Sequence, residues 1–200
     1  MEHKPGVGAK QPHIFSHERA AWLDEPEREG WLPTAALIEL LDAPKGGRVL
    51  DFGTGTGRYG LALAKARPDL LVVGFDVQPE MLEMARRHMD GLRRENFQIA
   101  DRAGALRQAP YNRVLALNVL HEIDNDALRR LASLLKHGGN TLIVDWDATI
   151  DRPTGPPAEH AHTPHEAQDR LVRNGLECVE WIQDARFPYH FILRAALKRG

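Results

Sequence analysis

The stretch RVLDFGTGTGRYG, residues 48 to 60, sets one carboxylate, Asp51, ahead of four glycines at 53, 55, 57 and 60. An apolar, strand-like run enters a turn of bare backbone and leaves as a helix, the arrangement that brings main chain against a ligand. Two registers fit the glycines. Gly55, Gly57 and Gly60 match G-x-G-x-x-G, the dinucleotide fingerprint, but Asp51-Phe52-Gly53-Thr54 then separates the strand body from its first glycine. Starting at Gly53 puts Arg58 where a third glycine should permit close helix packing. A second carboxylate, Asp76, ends the next apolar run 19 residues after Gly57. At a strand's carboxyl end, Asp51 and Asp76 are placed to bind a ligand or to cap the following helix. Histidines form the other candidate set, because imidazole titrates near neutral pH. His121 lies three residues past the apolar run RVLALN and either lines a substrate pocket or caps the next helix beside Asp124. His160, His162 and His165 cluster in EHAHTPHE, whose spacing matches no standard ligand pattern, so no metal site is expected.

These groups need a scaffold, and the rest of the chain supplies its pattern. Pro33 opens a helix with Ala36, Leu37, Leu40 and Leu41 at helical spacing. From there strand-like RVLDF, LLVVGFD, FQIA, RVLALN and NTLIVDW alternate with helical RYGLALAKA, PEMLEMARRHM and DALRRLASLL. The strand runs are continuously apolar, as expected for a parallel sheet buried on both faces, and the alternation predicts a doubly wound α/β fold. The proline-rich DRPTGPPAEHAHTP leads to a helix, HEAQDRLVRN. LECVEWIQ and HFILRAALK then follow with no helix between them, so they pair as an antiparallel hairpin. The organisation expected is a tail and cap segment over residues 1 to 32, its first 13 residues mobile, and one domain over 33 to 200.

As a whole, LDFGTGTG resembles motif I of the class I S-adenosylmethionine-dependent methyltransferases, an acidic residue followed by G-x-G-x-G, of the small single-domain kind. The resemblance covers roughly residues 33 to 198 and implies a Rossmann-like, seven-stranded, mostly parallel sheet whose C-terminal hairpin holds a reversed strand. It implies S-adenosyl-L-methionine as cofactor and S-adenosyl-L-homocysteine as product. Gly53, Thr54, Gly55 and Gly57 would carry the methionine part, with Asp51 accepting from its ammonium directly or through water. Asp76 would take the ribose hydroxyls. DVQPEML resembles the family's D-x-S-x-x-ML pattern, which puts Val77 and Met81 about the adenine. Asp101 falls where an acidic side chain meets the adenine amino group, or serves as a turn residue. YNRVLALNVLHEI resembles the fourth-strand segment, with Asn118 beside the cofactor and Asn112 in place of the usual Asp. His160, after GPP, stands at the lid position of related small methyltransferases. The N-terminal segment with Phe15, His17, Trp22 and Trp31 often folds over the site in this superfamily, with the tryptophans in core packing. Asp145, Trp146 and Asp147, at the end of the fifth strand, are placed to face substrate, and Trp181 and Tyr189 belong to the hairpin's core or edge.

The activity so implied is in-line methyl transfer to a small-molecule acceptor. A hydroxyl or ammonium nucleophile needs a base, and His121 and His160 are the catalytic candidates. Lys and Arg total 26 against 28 Asp and Glu, a net charge of -2, so no global field recruits nucleic acid or an anionic membrane. NVLH replaces the NPPY type of sequence that grips a planar amino group. Cys178 is the one cysteine among 200 residues, which excludes an internal disulfide and suits a reducing cytoplasm. No signal peptide or spanning run is evident, so a soluble cytoplasmic protein is expected. Two rivals remain at this stage: an NAD-dependent oxidoreductase, which lacks a Tyr-x-x-x-Lys or comparable pair, and a non-catalytic module that binds S-adenosylmethionine.

Overall fold

Seven strands form one sheet: β1 Arg48–Phe52, β2 Leu71–Phe75, β3 Phe97–Ala100, β4 Tyr111–Leu117, β5 Leu135–Trp146, β6 Leu176–Ile182 and β7 His190–Leu197. They are ordered β3-β2-β1-β4-β5-β7-β6 in a computed structural model that describes residues 15 to 89 and 95 to 198. The pairings among β1 to β5 are parallel, and β7 runs antiparallel to both β5 and β6. The expected doubly wound sheet with a reversed hairpin strand is therefore the observed one. The 13-residue tail lies outside the described residues.

The helices are α1 Thr34–Leu41, α2 Arg58–Ala66, α3 Pro79–Met89, α4 Arg102–Gln108, α5 Asn125–Leu134 and α6 Pro164–Arg173. Successive strand residues face opposite sides, so the continuous apolar runs feed two cores. Val49, Val72, Leu115 and Val144 pack with Leu37 and Leu41 of α1 and Leu61 and Ala64 of α2. Leu50, Val73, Val114 and Ile143 pack with Ala105 of α4, Leu128 and Leu131 of α5, and Leu171 of α6. No helix among the described residues is long and apolar enough to cross a membrane.

Two elements were not expected. Helix α4 follows Asp101, whose side chain accepts from the Gly104 N–H at 2.7 Å as an N-cap. Before α1, residues His17–Asp24 and Pro26–Gly30 form two 3-10 turns. Asn112 accepts the Arg48 N–H at 2.9 Å through its side-chain oxygen and ties β4 to β1.

Chain direction reverses its order across the sheet between β1 and β4, and this is where an open α/β sheet presents a crevice at its carboxyl edge. The loops after the two strands touch there. A Cβ on Gly53, at φ +79°, would lie 2.2 Å from Val119 Cγ2. Only glycine fits that backbone and that gap.

Candidate functional site

The glycine loop is held from beneath. Gly53 and Thr54 both donate their N–H groups to the Phe75 carbonyl at 2.8 Å, and Gly57 donates to the Thr54 carbonyl at 2.9 Å. Asp51 lies under the loop, with one carboxylate oxygen accepting from Thr54 Oγ1 at 2.6 Å. Burial pushes its pKa up to about 6, and Asp76's charge adds to this against the Thr54 hydroxyl and the Gly60 amide. The expectation that Asp51 meets a ligand ammonium is thus modified. In this structure the carboxylate braces the loop and the first turn of α2, because the loop's own donors reach it first. Thr54 is likewise turned inward, and the loop's upper face is the bare backbone of Gly55 and Gly57, both at positive φ.

Asp76 closes β2 with its carboxylate shared between two amides: Gly55 N–H at 2.9 Å and Gln78 N–H at 3.0 Å. It is fixed beside the loop, and burial raises its pKa. Val77 next to it is 63% exposed, an open apolar face. Met81 is 2% exposed and belongs, with Leu82 and Ala85, to the buried stripe of α3. Of the two residues expected about the adenine, Val77 thus stands open while Met81 packs in the core. Asp101 caps α4 with one of its two oxygens. Asn118 ends β4 at φ +53°, and its Oδ1 and Nδ2 are buried with no hydrogen-bond partner among the described residues. An unpaired buried amide is costly, and a ligand seated at this edge would satisfy it.

Three residues on, His121 meets Asp145 of β5. The imidazole Nδ1 and Asp145 Oδ1 are 2.7 Å apart, and Asp145 also accepts the His121 and Trp146 backbone N–H groups at 3.2 Å and 2.7 Å. Burial works against both charges, yet each favours the other's charged form: the His121 pKa sits above the usual imidazole range and that of Asp145 below the usual carboxylate range. With Asp145 as carboxylate, Nδ1–H is the donor and Nε2 is left for another partner. Glu122 Oε1 lies 3.6 Å from Nε2. Burial pushes Glu122 up to about 7, with Asp145 and Asp76 adding to this against the His121 charge and the Phe15 amide. Arg170 of α6 steadies the loop, donating to the Leu120 carbonyl at 2.7 Å and to the Ile123 carbonyl. Of the two histidines proposed for catalysis, the structure sets His121 into a carboxylate pair. His160, half-buried, ends the short turn Ala158–His160 in the proline-rich loop after β5. Among the described residues no three His, Cys, Asp or Glu side chains are grouped to hold a metal.

The N-terminal segment lies across this edge. Asp24 accepts from Thr56 Oγ1 at 2.7 Å, Gln78 Nε2 donates to the Phe15 carbonyl at 2.9 Å, and a Cβ on Gly55 would lie 3.1 Å from Leu23 Cδ1. Rings continue from it into the sheet. Phe15 to Trp22 and Trp22 to Trp31 are 6.0 Å apart, Trp31 to Trp146 is 5.2 Å, and Trp146 to His190 is 4.4 Å. A groove of about 470 Å³ under the same segment is lined by Asp24, Glu29, Arg58, Lys65 and His88, and by none of Asp76, Asn118, His121 or Asp145. The residues missed from sequence are Glu122, Arg28 and His190. Glu122 adjoined a named candidate, and His190 opens a strand at the carboxyl edge, signals that were readable. Arg28 had none, because its burial depends on tryptophans brought to it by the fold.

Comparison with known proteins agrees with this geometry. Residues 49 to 139 match a model described as a methyltransferase domain. Over 151 residues the chain is 32% identical to protein-L-isoaspartate O-methyltransferase 1 of Archaeoglobus fulgidus, covering 68% of each. It is 34% identical over 153 residues to a 37.1 kDa protein of a Streptomyces fradiae transposon, matching 71% of this chain but 43% of that one. This chain thus spans less than half of that relative's length. A solved S-adenosylmethionine-dependent methyltransferase from Aquifex aeolicus superposes with a TM-score of 0.82 at 24% identity, covering 92% of this chain and 100% of the other. The glycine turn, the switch-point Asp76 and Asn118, and the reversed β7 fall together in one class, and the chain belongs to the class I S-adenosylmethionine-dependent methyltransferases. Its cofactor is S-adenosylmethionine. The residues present fit it: a bare loop, a fixed carboxylate at β2, an open apolar face at Val77 and an unsatisfied amide at Asn118.

Proposed function

We propose that the protein moves a methyl group from S-adenosylmethionine to a hydroxyl or amine of a small molecule, with His121 as general base. The observation that carries the reading is the buried 2.7 Å pairing of His121 with Asp145, three residues past Asn118. The cofactor supplies a methyl already activated on a positive sulfur, so alignment and exclusion of water are the main demands on the protein. Asp76 holds the ribose hydroxyls, Val77 covers the adenine, and the loop at Gly55 and Gly57 carries the amino-acid end. Asp145 fixes the His121 tautomer, so Nε2 takes the proton from the acceptor's nucleophilic atom. Glu122, 3.6 Å from that nitrogen and with its pKa pushed up to about 7, keeps a carboxylate fraction near neutral pH, and that form receives the proton in turn. Residues 1 to 32 are the cap segment and residues 33 to 200 the methyltransferase domain. A net charge of -2 and a carboxyl edge closed by Trp31 and Trp146 favour a small acceptor over nucleic acid.

Methyl-labelled S-adenosylmethionine is incubated with the protein and with the small-molecule and macromolecular fractions of a cell extract. Label is expected in the small-molecule fraction, abolished by Asp76→Ala and strongly reduced by His121→Gln. Label confined to macromolecules overturns the acceptor class, and undiminished labelling by His121→Gln overturns the base.

A further inference from the structure

Arg28 is 3% exposed, and its Nε and Nη1 are buried with no hydrogen-bond partner among the described residues. Its guanidinium lies over Trp22 at 4.5 Å and Trp31 at 4.9 Å from the ring centroids. The Tyr59 hydroxyl lies near it, and among the described residues no carboxylate forms an ion pair with it. Two charged neighbours act on it in opposite senses, Asp24 favouring the cation and Arg58 opposing it. Asp24 is bonded to Thr56, and Arg58, itself cationic, pairs with Glu29 at 2.9 Å. Cation–π contact offsets part of the desolvation of a buried guanidinium, but a planar fork with free donors lacks the anion that such a site is shaped for.

The position of this cation bears on function. Tyr59 stands in the first turn of α2, directly after the glycine loop, so Arg28 lies beside the helix that leaves the loop. Trp31 stacks on His190 at 5.7 Å and 11°, and the Arg28 charge reaches His190, so Arg28 also adjoins the side closed by β5 and β7. From these observations we propose that Arg28 is the receptor for a carboxylate of the ligand bound at the carboxyl edge, with Trp22 and Trp31 as its walls. The carboxylate comes either from the amino-acid end of the methyl donor or from the acceptor. The inference rests on the proposed ligand site but not on the assignment of His121 as base.

A guanidinium–carboxylate contact in such surroundings is worth about 10- to 100-fold in affinity. Calorimetric titration of wild type and Arg28→Met with S-adenosylhomocysteine and with its decarboxylated amine separates the sources. If the donor supplies the carboxylate, Arg28→Met weakens S-adenosylhomocysteine by that factor and leaves the amine unchanged. If the acceptor supplies it, both nucleoside ligands bind equally to the two proteins. Benzoate, an aromatic carboxylate suited to the tryptophan walls, then binds the S-adenosylhomocysteine-saturated wild type and not the variant. Loss of both nucleoside ligands in equal measure, or no dependence of any of the three on Arg28, overturns the proposal. Because the ligand-free protein buries an uncompensated cation, Arg28→Met is expected to melt no lower than wild type. A purely structural arginine would lower the melting point and leave affinities alone. Should the methionine variant fail to fold, Arg28→Lys retains charge without the fork and is expected to weaken the carboxylate ligand several-fold. Wild type that binds benzoate but no S-adenosyl compound would refute the cofactor reading while leaving the Arg28 site standing.

Discussion

His190 makes the protein acid-labile in a way that can be calculated. It is 7% exposed between Trp31 and Trp146, and neither ring nitrogen has a hydrogen-bond partner among the described residues. Burial pushes its pKa down to about 3 from an ordinary 6.5, with the Arg28, Arg152 and His121 charges adding to the fall and Asp145 opposing it. A histidine depressed on folding binds its proton more readily in the unfolded chain, so stability is full above pH 6.5 and declines as pH falls towards 3. Between pH 7.5 and pH 5 the decline from this residue is about 2 kcal/mol, from 1.36 kcal/mol per unit over about 1.5 units. His190→Phe keeps a ring in the stack and removes the titration. Its stability at pH 7.5 depends on repacking and moves either way by about 1 kcal/mol. The pH dependence does not share that ambiguity. Urea unfolding at both pH values should show wild type losing about 2 kcal/mol more than His190→Phe. Contributions from Asp51, His121 and Glu122 occur in both proteins and drop out of the difference. Equal losses would mean that His190 is hydrated or protonated in the folded protein, and would refute the reasoning.

Two further perturbations test the site. Since Asp145 holds His121 above the usual imidazole range, kcat/KM should rise with pH to a plateau reached above 6.5. Asp145→Asn should move that limb to lower pH, and His121→Gln should erase it with a loss of about 10²-fold in kcat; an unmoved limb in Asp145→Asn would show that another group titrates. Gly53→Ala sets a Cβ 2.2 Å from Val119 Cγ2 at φ +79°, and left-handed strain plus overpacking should cost about 2 to 5 kcal/mol. Gly46→Ala, at φ +70° with nothing within 4 Å, isolates the backbone part at about 1 to 2 kcal/mol. Equal melting points for the two variants would disprove the contact between the β1 and β4 loops.

The scaffold was legible because period-2 and period-3.6 apolar patterns write themselves into sequence wherever burial is two-sided or striped. Every strand of the sheet and helices α1, α2, α3, α5 and α6 announced themselves in this way. Helix α4, only RAGALRQ and interrupted by Gly104, carries too few apolar residues to show a period, and its cap Asp101 was readable only as a ligand group or a turn residue. Residue type located Asp51, Met81 and Asp101 at the right edge, but only the fold decides which way each side chain turns. Asp51 went under the loop to its donors, Met81 into the core and Asp101 to an amide. His121 was readable as a candidate, whereas its partner relationship with Asp145 needs β4 and β5 side by side.

Trp146 bears weight from both ends of the chain. Trp31 of the N-terminal segment leans on it at 5.2 Å. From the proline-rich loop, Arg152 lies over its ring at 5.5 Å, and Gly155 comes so near that a Cβ there would be 3.0 Å from the indole. The two segments share no sequence neighbourhood, yet they stand on one indole ring. Displacing that ring is expected to loosen both together, giving a single relaxation time common to amide exchange before β1 and after β5.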